Sequence, residues 1–175
     1  MIVREATIAD APKIAGIHAA SWRDTYKNEL NEKYLAELVS NEREEMWKSR
    51  FINPVPNQYV AIAQIDGETV GFACFYSGEN PDFGSYLDNL HVSKNHHSKG
   101  IGKSLLLNGA RWCFEQQPDE GLCLLVSQSN THAQAFYKRL GTRNCKDGVW
   151  NAPDGSVVPT FWYVWDDIKP LIENQ

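Results

Sequence analysis

Three short stretches carry side chains able to do chemistry together. The first is Tyr86-Leu87-Asp88-Asn89-Leu90-His91-Val92, which holds a phenol, a carboxylate and an imidazole. The second is Gly100-Ile101-Gly102, followed at once by a helical pattern that begins Lys103-Ser104-Leu105. The third runs from Asn130 to Gly141, NTHAQAFYKRLG, with its phenol at Tyr137. A helix N-terminus has amide hydrogens without intrahelical acceptors and a partial positive charge, so it attracts anions. Glycines one residue apart let an anion approach that backbone closely. Strand, glycine turn and helix thus make a candidate diphosphate cradle, although a lone G-x-G is equally compatible with a purely structural turn.

With all three stretches in view, the sequence resembles the GNAT superfamily of N-acetyltransferases. The acyl-CoA loop of that family follows Q/R-x-x-G-x-G/A, and the matching residues here are His97-Ser98-Lys99-Gly100-Ile101-Gly102. Both glycines fit. His97 stands where Gln or Arg is usual, which leaves the part played by its side chain open. The resemblance implies acetyl-CoA as co-substrate, its phosphates gripped by residues His97 to Ser104, with Lys99 and Lys103 among them. It implies a thioester arm along Leu90, His91 and Val92, facing Asn130, Ala133, Phe136 and Tyr137. It puts at Tyr137 the group that protonates the departing thiolate, and at Tyr86 and Asp88 acid–base positions. It also assigns one wall of the acceptor site to the first two helices and the loop between them. Trp22, Tyr26 and Tyr34 become candidate substrate contacts, with aromatic packing as the alternative.

The residues bear on the same chemistry independently. An alkylamine has a pKa near ~10.4, so at neutral pH only about one molecule in ~2,500 is unprotonated, a cost of roughly 4.6 kcal/mol. A base that removes the proton is therefore useful. Strict strand alternation puts Tyr86, Asp88, Leu90 and Val92 on one face, with Leu87, Asn89 and His91 on the other. Asp88 is then the candidate base, directly or through water, or else an anchor for the substrate's ammonium group or for a loop. His91, sent to the opposite face, is the weaker candidate. Tyr137 reads either as a proton donor or as a core aromatic. His91, His96 and His97 lack a fourth ligand at a sensible spacing, so no metal is expected. No cysteine stands beside an obvious base, which favours direct attack in a ternary complex over an acetyl-enzyme.

The elements that must position these groups follow from pattern. Ile2 to Thr7 reads as a strand, and Asp10-Ala11-Pro12 starts a helix with an apolar stripe through Ile14, His18 and Trp22. A second helix carries Leu35, Leu38, Met46, Trp47 and Phe51 and stops before Pro54. Strands 59–65 and 69–76 flank the hairpin signal Asp66-Gly67. Residues 77–85 read as a loop and 86–92 as the central strand. A helix runs from Gly102 to about Gln117, where Gly109 allows close approach to the sheet. The apolar run Leu122 to Val126 reads as a strand covered on both faces. Asn130 caps a short helix ending at Gly141, and strands 142–150 and 157–165 finish the chain. Pro159 is expected at an edge or bulge. The fold class is α/β: a mixed, mostly antiparallel, GNAT-like twisted sheet of about seven strands flanked by four helices, in one domain covering 1–175.

At 175 residues the chain is large enough for one well-filled core. The net charge of −5 and the lack of a basic stripe argue against nucleic acid as partner. No apolar run approaches a membrane span, and the N-terminus has no apolar signal core, so a cytoplasmic location is expected. Cys74, Cys113, Cys123 and Cys145 read as reduced thiols. The function expected is acetyl transfer from acetyl-CoA to a primary amine of a small, amine- or polyamine-like molecule, drawn electrostatically by the acidic protein. A protein N-terminus or lysine is the other acceptor class. A non-catalytic acyl-CoA sensor is the rival from outside enzymology. An exposed C-terminal strand, or the aromatic tail Phe161 to Trp165, offers a surface for a homodimer.

Overall fold

A computed structural model describes residues 1–173. In chain order the elements are β1 (Ile2–Glu5), α1 (Ala11–Thr25), α2 (Val39–Ile52), β2 (Gln58–Ile65), β3 (Glu68–Asn80), β4 (Gly84–Val92), α3 (Ile101–Gln116), β5 (Leu122–Ser127), α4 (Thr131–Arg139), β6 (Arg143–Asn151), β7 (Val157–Trp165) and α5 (Lys169–Glu173). A π-helical turn, Tyr34–Leu38, leads into α2. The strands make one seven-stranded sheet in the order β1-β2-β3-β4-β5-β7-β6. All neighbours are antiparallel except β4 and β5. This is the mixed sheet the pattern predicts, with one short helix, α5, beyond the four expected.

The apolar stripes decide which face each helix covers. Ile14, Ala15 and Ile17 of α1 and Trp47 of α2 pack on Val60, Ile62, Phe72 and Cys74 of the sheet. The opposite face is covered by α3, whose Leu105, Leu106, Ala110 and Cys113 meet Ala73, Phe75, Leu87 and Leu124. At Gly109 the helix backbone is so close to the sheet that a Cβ there would sit 1.9 Å from the Phe75 ring.

Local chemistry sets the turns. Asp66 and Gly67 both have positive φ, 51° and 81°, as the two-residue hairpin requires. The loop expected over 77–85 is mostly strand. β3 runs on to Asn80, whose side-chain carbonyl accepts from the amides of Asp82 and Phe83, and Gly84 at φ 85° opens β4. One further expectation is corrected. β7 lies inside the sheet, between β5 and β6, so Pro159 sits at neither an edge nor a bulge. It falls just beyond the last β5 pairing, Ser127 with Thr160, where no ladder bond needs its missing N–H. The aromatic tail is largely core: Tyr163, Val164 and Trp165 are buried, and Phe161 and Trp162 are half-buried.

Candidate active site

β4 and β5 pair at only two positions, Ser85 with Leu122 and Tyr86 with Cys123. Beyond them β4 stays with β3 and β5 stays with β7, so a wedge opens in the middle of the sheet. On the α3 side of the wedge is a groove of about 400 Å³ lined by Leu90, Val92, residues 96–98 and 100–103, Ala133, Phe136 and Tyr137. On the α1–α2 side is a pocket of about 360 Å³ lined by His18, Trp22, Tyr26, Arg43, Arg50, Tyr86, Asp88, His91 and Trp150 among others. A third cavity, about 570 Å³, adjoins it and shares Arg50, Tyr86 and Asp88.

The groove has the makings of an anion cradle. Ser98 and Gly100 have positive φ, 61° and 78°, and Gly100 is the residue from which α3 starts. The first helical bond from the turn is Ser104 N–H to the Gly100 carbonyl, at 3.0 Å. The amides of Ser98 through Lys103 find no acceptor among the described residues. The two glycines differ in role. Gly100 is needed for its dihedral. A Cβ on Gly102 would make ordinary contacts with Phe136 and Val92, at 3.7 and 3.8 Å, which is why alanine also satisfies the pattern there. The His97 ring, left open by the sequence, donates from Nε2 to the Val92 carbonyl at 2.8 Å and ties the loop to the end of β4.

That bond also fixes which main-chain groups face the wedge. Ser93 donates to Val70 at 2.8 Å, so Val92 is unbonded to its β3 partner Gly71, and with the two-residue period so is Leu90. The amides of Leu90 and Val92 therefore point where β5 has left. Asn130, expected to contact the coenzyme arm, spends its side-chain carbonyl on the Ala133 amide as the α4 cap, at 3.0 Å. Tyr137 is 8% exposed, packs edge-on against Phe136 and Trp165, and lines the groove. Burial raises its pKa, and that of Tyr86, above the usual phenol value; at Tyr86 the Asp88 charge adds most to the rise after burial, with smaller additions from Cys123, Tyr26 and Tyr137. Three phenols from three elements thus converge on the wedge.

Strict alternation along β4 fails at one place. Cys74 faces Asn89 and Phe75 faces Leu87, so Asp88 is an extra residue, a β-bulge. The bulge turns Asn89 and His91 to the α1–α2 face, opposite Cys74 and Phe72, and sends Leu90 and Val92 to α3. Asp88 and His91, expected on opposite faces, line the same pocket. Asp88 Oδ2 accepts from Arg50 Nη1 at 2.7 Å and from the Asn89 amide, while Oδ1 has no protein partner among the described residues. The His91 Nδ1 faces Ser21 Oγ at 2.8 Å, and its ring lies beside that of His18, centroids 4.7 Å apart and planes tilted by 32°. Burial, then the Arg43 charge, pushes the His91 pKa down to about 4.

Of the three aromatics expected on the acceptor wall, Trp22 and Tyr26 line the α1–α2 pocket. Trp22, Tyr26 and Trp150 form a box with centroids 5.1–5.7 Å apart. Tyr34 is instead buried among Leu35, Val39, Ala152 and Val158 and lines none of these cavities. Arg43, Arg50 and Trp150 were not singled out in the sequence. Arg43, Met46, Trp47 and Arg50 follow an i, i+3, i+4, i+7 spacing that would have put both arginines on the sheet-facing side of α2. Trp150 carries no such signal.

Comparison with known proteins agrees with this geometry. The model of the acetyltransferase (GNAT) family matches residues 18–142. The chain belongs to that family. The uncharacterized N-acetyltransferase YuaI of Bacillus subtilis is 32% identical over 131 residues, 66% of this chain and 73% of its own. The probable N-acetyltransferase Rv2775 of Mycobacterium tuberculosis is 26% identical over 169 residues, 92% of this chain and 91% of its own. Among solved structures, the PaiA N-acetyltransferase of Thermoplasma acidophilum in complex with coenzyme A superposes with a TM-score of 0.69 at 18% identity. That alignment covers 91% of this chain and 96% of that one. Among the described residues no helix is long and apolar enough to cross a membrane.

Proposed function

We propose that the protein transfers an acetyl group from acetyl-CoA to a primary amine of a small molecule, by direct attack in a ternary complex. The observation that carries this reading is the wedge between β4 and β5, with an amide-lined groove on one side and a carboxylate-bearing pocket on the other. Acetyl-CoA supplies the reaction with an activated thioester. Its diphosphate suits the unpartnered amides of Ser98 to Lys103, with Lys99 and Lys103 exposed beside them. Leu90 and Val92 offer main-chain donors to an acyl oxygen, an arrangement that stabilises negative charge as it develops.

The residues divide the proton work. Asp88 Oδ1 accepts the proton of the incoming ammonium, directly or through water. Tyr137, kept protonated by burial, donates its hydroxyl proton to the leaving sulfur. Burial pushes Cys74, Cys113 and Cys123 each up to about 12, so none is a thiolate at neutral pH and a cysteine acetyl-enzyme is disfavoured.

Thiol release with a panel of amines tests this. Tyr137→Phe should lower kcat roughly 10- to 100-fold and leave the acetyl-CoA dissociation constant within about two-fold. If the wild-type protein binds acetyl-CoA calorimetrically and releases no thiol with any amine, it is an acyl-CoA sensor instead.

A further inference from the structure

Two side chains that this chemistry does not use converge on the acceptor pocket. Arg43 is 6% exposed and His18 is 2% exposed, and both line it. The Arg43 guanidinium lies over Trp22, its Cζ 4.3 Å from the ring centroid. Its Nη2 donates to Glu42, the preceding residue. Its Nε is buried and meets no acceptor among the described residues, and Nη1, not sealed from solvent, meets none either. His18 has a defined tautomer. Its Nδ1 accepts the Trp47 indole N–H at 3.0 Å, so the hydrogen of the neutral ring is on Nε2. That N–H is also buried without an acceptor.

Orphaned N–H groups are costly, more so on a cation, and they mark where a ligand's acceptor atoms belong. The pocket's own carboxylate does not serve them: Asp88 Oδ2 accepts from Arg50 and Asn89, and no bond joins Asp88 to Arg43 or His18. Glu42 takes one nitrogen of Arg43 and does not line the pocket. The ionised groups that do line it are Arg43, Arg50 and Asp88, and burial keeps His18 and His91 neutral. Such a lining opposes a polycation, although the whole chain is acidic. A guanidinium with free N–H groups above an aromatic ring suits a planar carboxylate.

We infer that the acceptor carries a carboxylate as well as its amine, held by Arg43 with the His18 Nε2–H as second donor, so that the substrate is of amino-acid type. This rests on the acetyltransferase reading above and narrows it. Asp88 then faces the amine end, and the Trp22–Tyr26–Trp150 box holds the body of the molecule between them.

The test is thiol release with the twenty standard L-amino acids, their α-carboxamides, and spermidine. At least one amino acid should have a kcat/KM ten-fold or more above its own carboxamide and above spermidine. Arg43→Gln should raise KM for that amino acid about 10- to 100-fold, with little change for the carboxamide, and Arg43→Lys should restore part of the loss. Acetyl-CoA affinity and thermal unfolding of both variants show whether they are folded. Carboxamides or spermidine used as well as the acids, or equal loss for acid and amide in Arg43→Gln, would overturn the inference. If nothing is acetylated, titration of the CoA-loaded protein with the same acids and amides still decides. Binding of acids alone, lost in Arg43→Gln, keeps the carboxylate site while the enzyme reading falls. Binding of neither ends both.

Discussion

The Asp88 carboxylate has two oxygens with different duties. Oδ2 accepts from Arg50 and Asn89, and Oδ1, without a partner among the described residues, is the atom proposed to take the amine's proton. Asp88→Asn therefore removes two things at once. A half-buried Arg50 loses its counter-charge, which should cost about 1–3 kcal/mol of stability. The amine loses its proton acceptor, which should lower kcat about 10²–10⁴-fold. The two losses are separable, because denaturant unfolding reads the first and saturating thiol-release kinetics the second. A rise in KM with kcat unchanged would make Asp88 an ammonium anchor and leave the base to be found, with His91 on the same wall the next group to test. Arg50 also stacks near Trp47 and Tyr76, 5.0 and 5.8 Å from their centroids, so part of its position survives loss of the ion pair.

At the scale of elements, α3 is the piece on which the proposed coenzyme cradle depends, and Gly109 sets its height above the sheet. Alanine in a helix interior is favoured over glycine by about 1 kcal/mol. At this position the new methyl would lie 1.9 Å from a ring carbon of Phe75, which is fully buried and cannot turn aside. Overpacking of this kind costs about 1–3 kcal/mol, toward the upper end here, so the clash outweighs the propensity gain. Gly109→Ala should lower Tm by about 2–8 °C and weaken acetyl-CoA binding as the N-terminus of α3 shifts. Phe75→Leu added to it should recover part of the loss. Unchanged stability would mean that the helix is free to slide.

What the sequence disclosed at this scale was whatever a local rule encodes: the hairpin at Asp66-Gly67, the Asn130 cap, the glycine at the start of α3 and the close approach at Gly109. What it hid depends on long-range pairing. Asp88 is bulged because β3 pairs past it, and no period-two reading of β4 alone contains that. Tyr34, for which contact and packing were both open, is packed in the cluster of Leu35, Val39, Ala152 and Val158, which distant segments complete. The wedge follows from β5 leaving β4 after two pairs, a property of neither strand's composition.

Across the whole molecule, the pocket proposed to take the amine also sets the protein's tolerance to acid. His18 and His91 are folded into the site as neutral rings, with burial the main cause in both cases. In the unfolded chain each imidazole takes up a proton near pH ~6.5. Folded His91 resists until about 4, and folded His18 is also held well below its ordinary value. Between those limits the unfolded state binds more protons, so stability is full above pH ~6.5 and falls as the pH drops towards about 4. His91 alone accounts for about 2–3 kcal/mol of that loss. The ion-paired carboxylates act in a lower window. Asp10 beside Arg4 and Asp166 beside Arg143 are held below the usual range by those guanidiniums, so their contribution persists until the pH falls below ~4. Calorimetric Tm values from pH 7.5 to 4.5 should therefore fall before the Asp10 and Asp166 ion pairs are lost. His91→Gln should shrink the drop between pH 7 and pH 4.5 by about 4–12 °C, while leaving the fall below pH ~4 in place. Equal pH dependence in the variant and the wild type would mean that the imidazole is not held neutral by the fold.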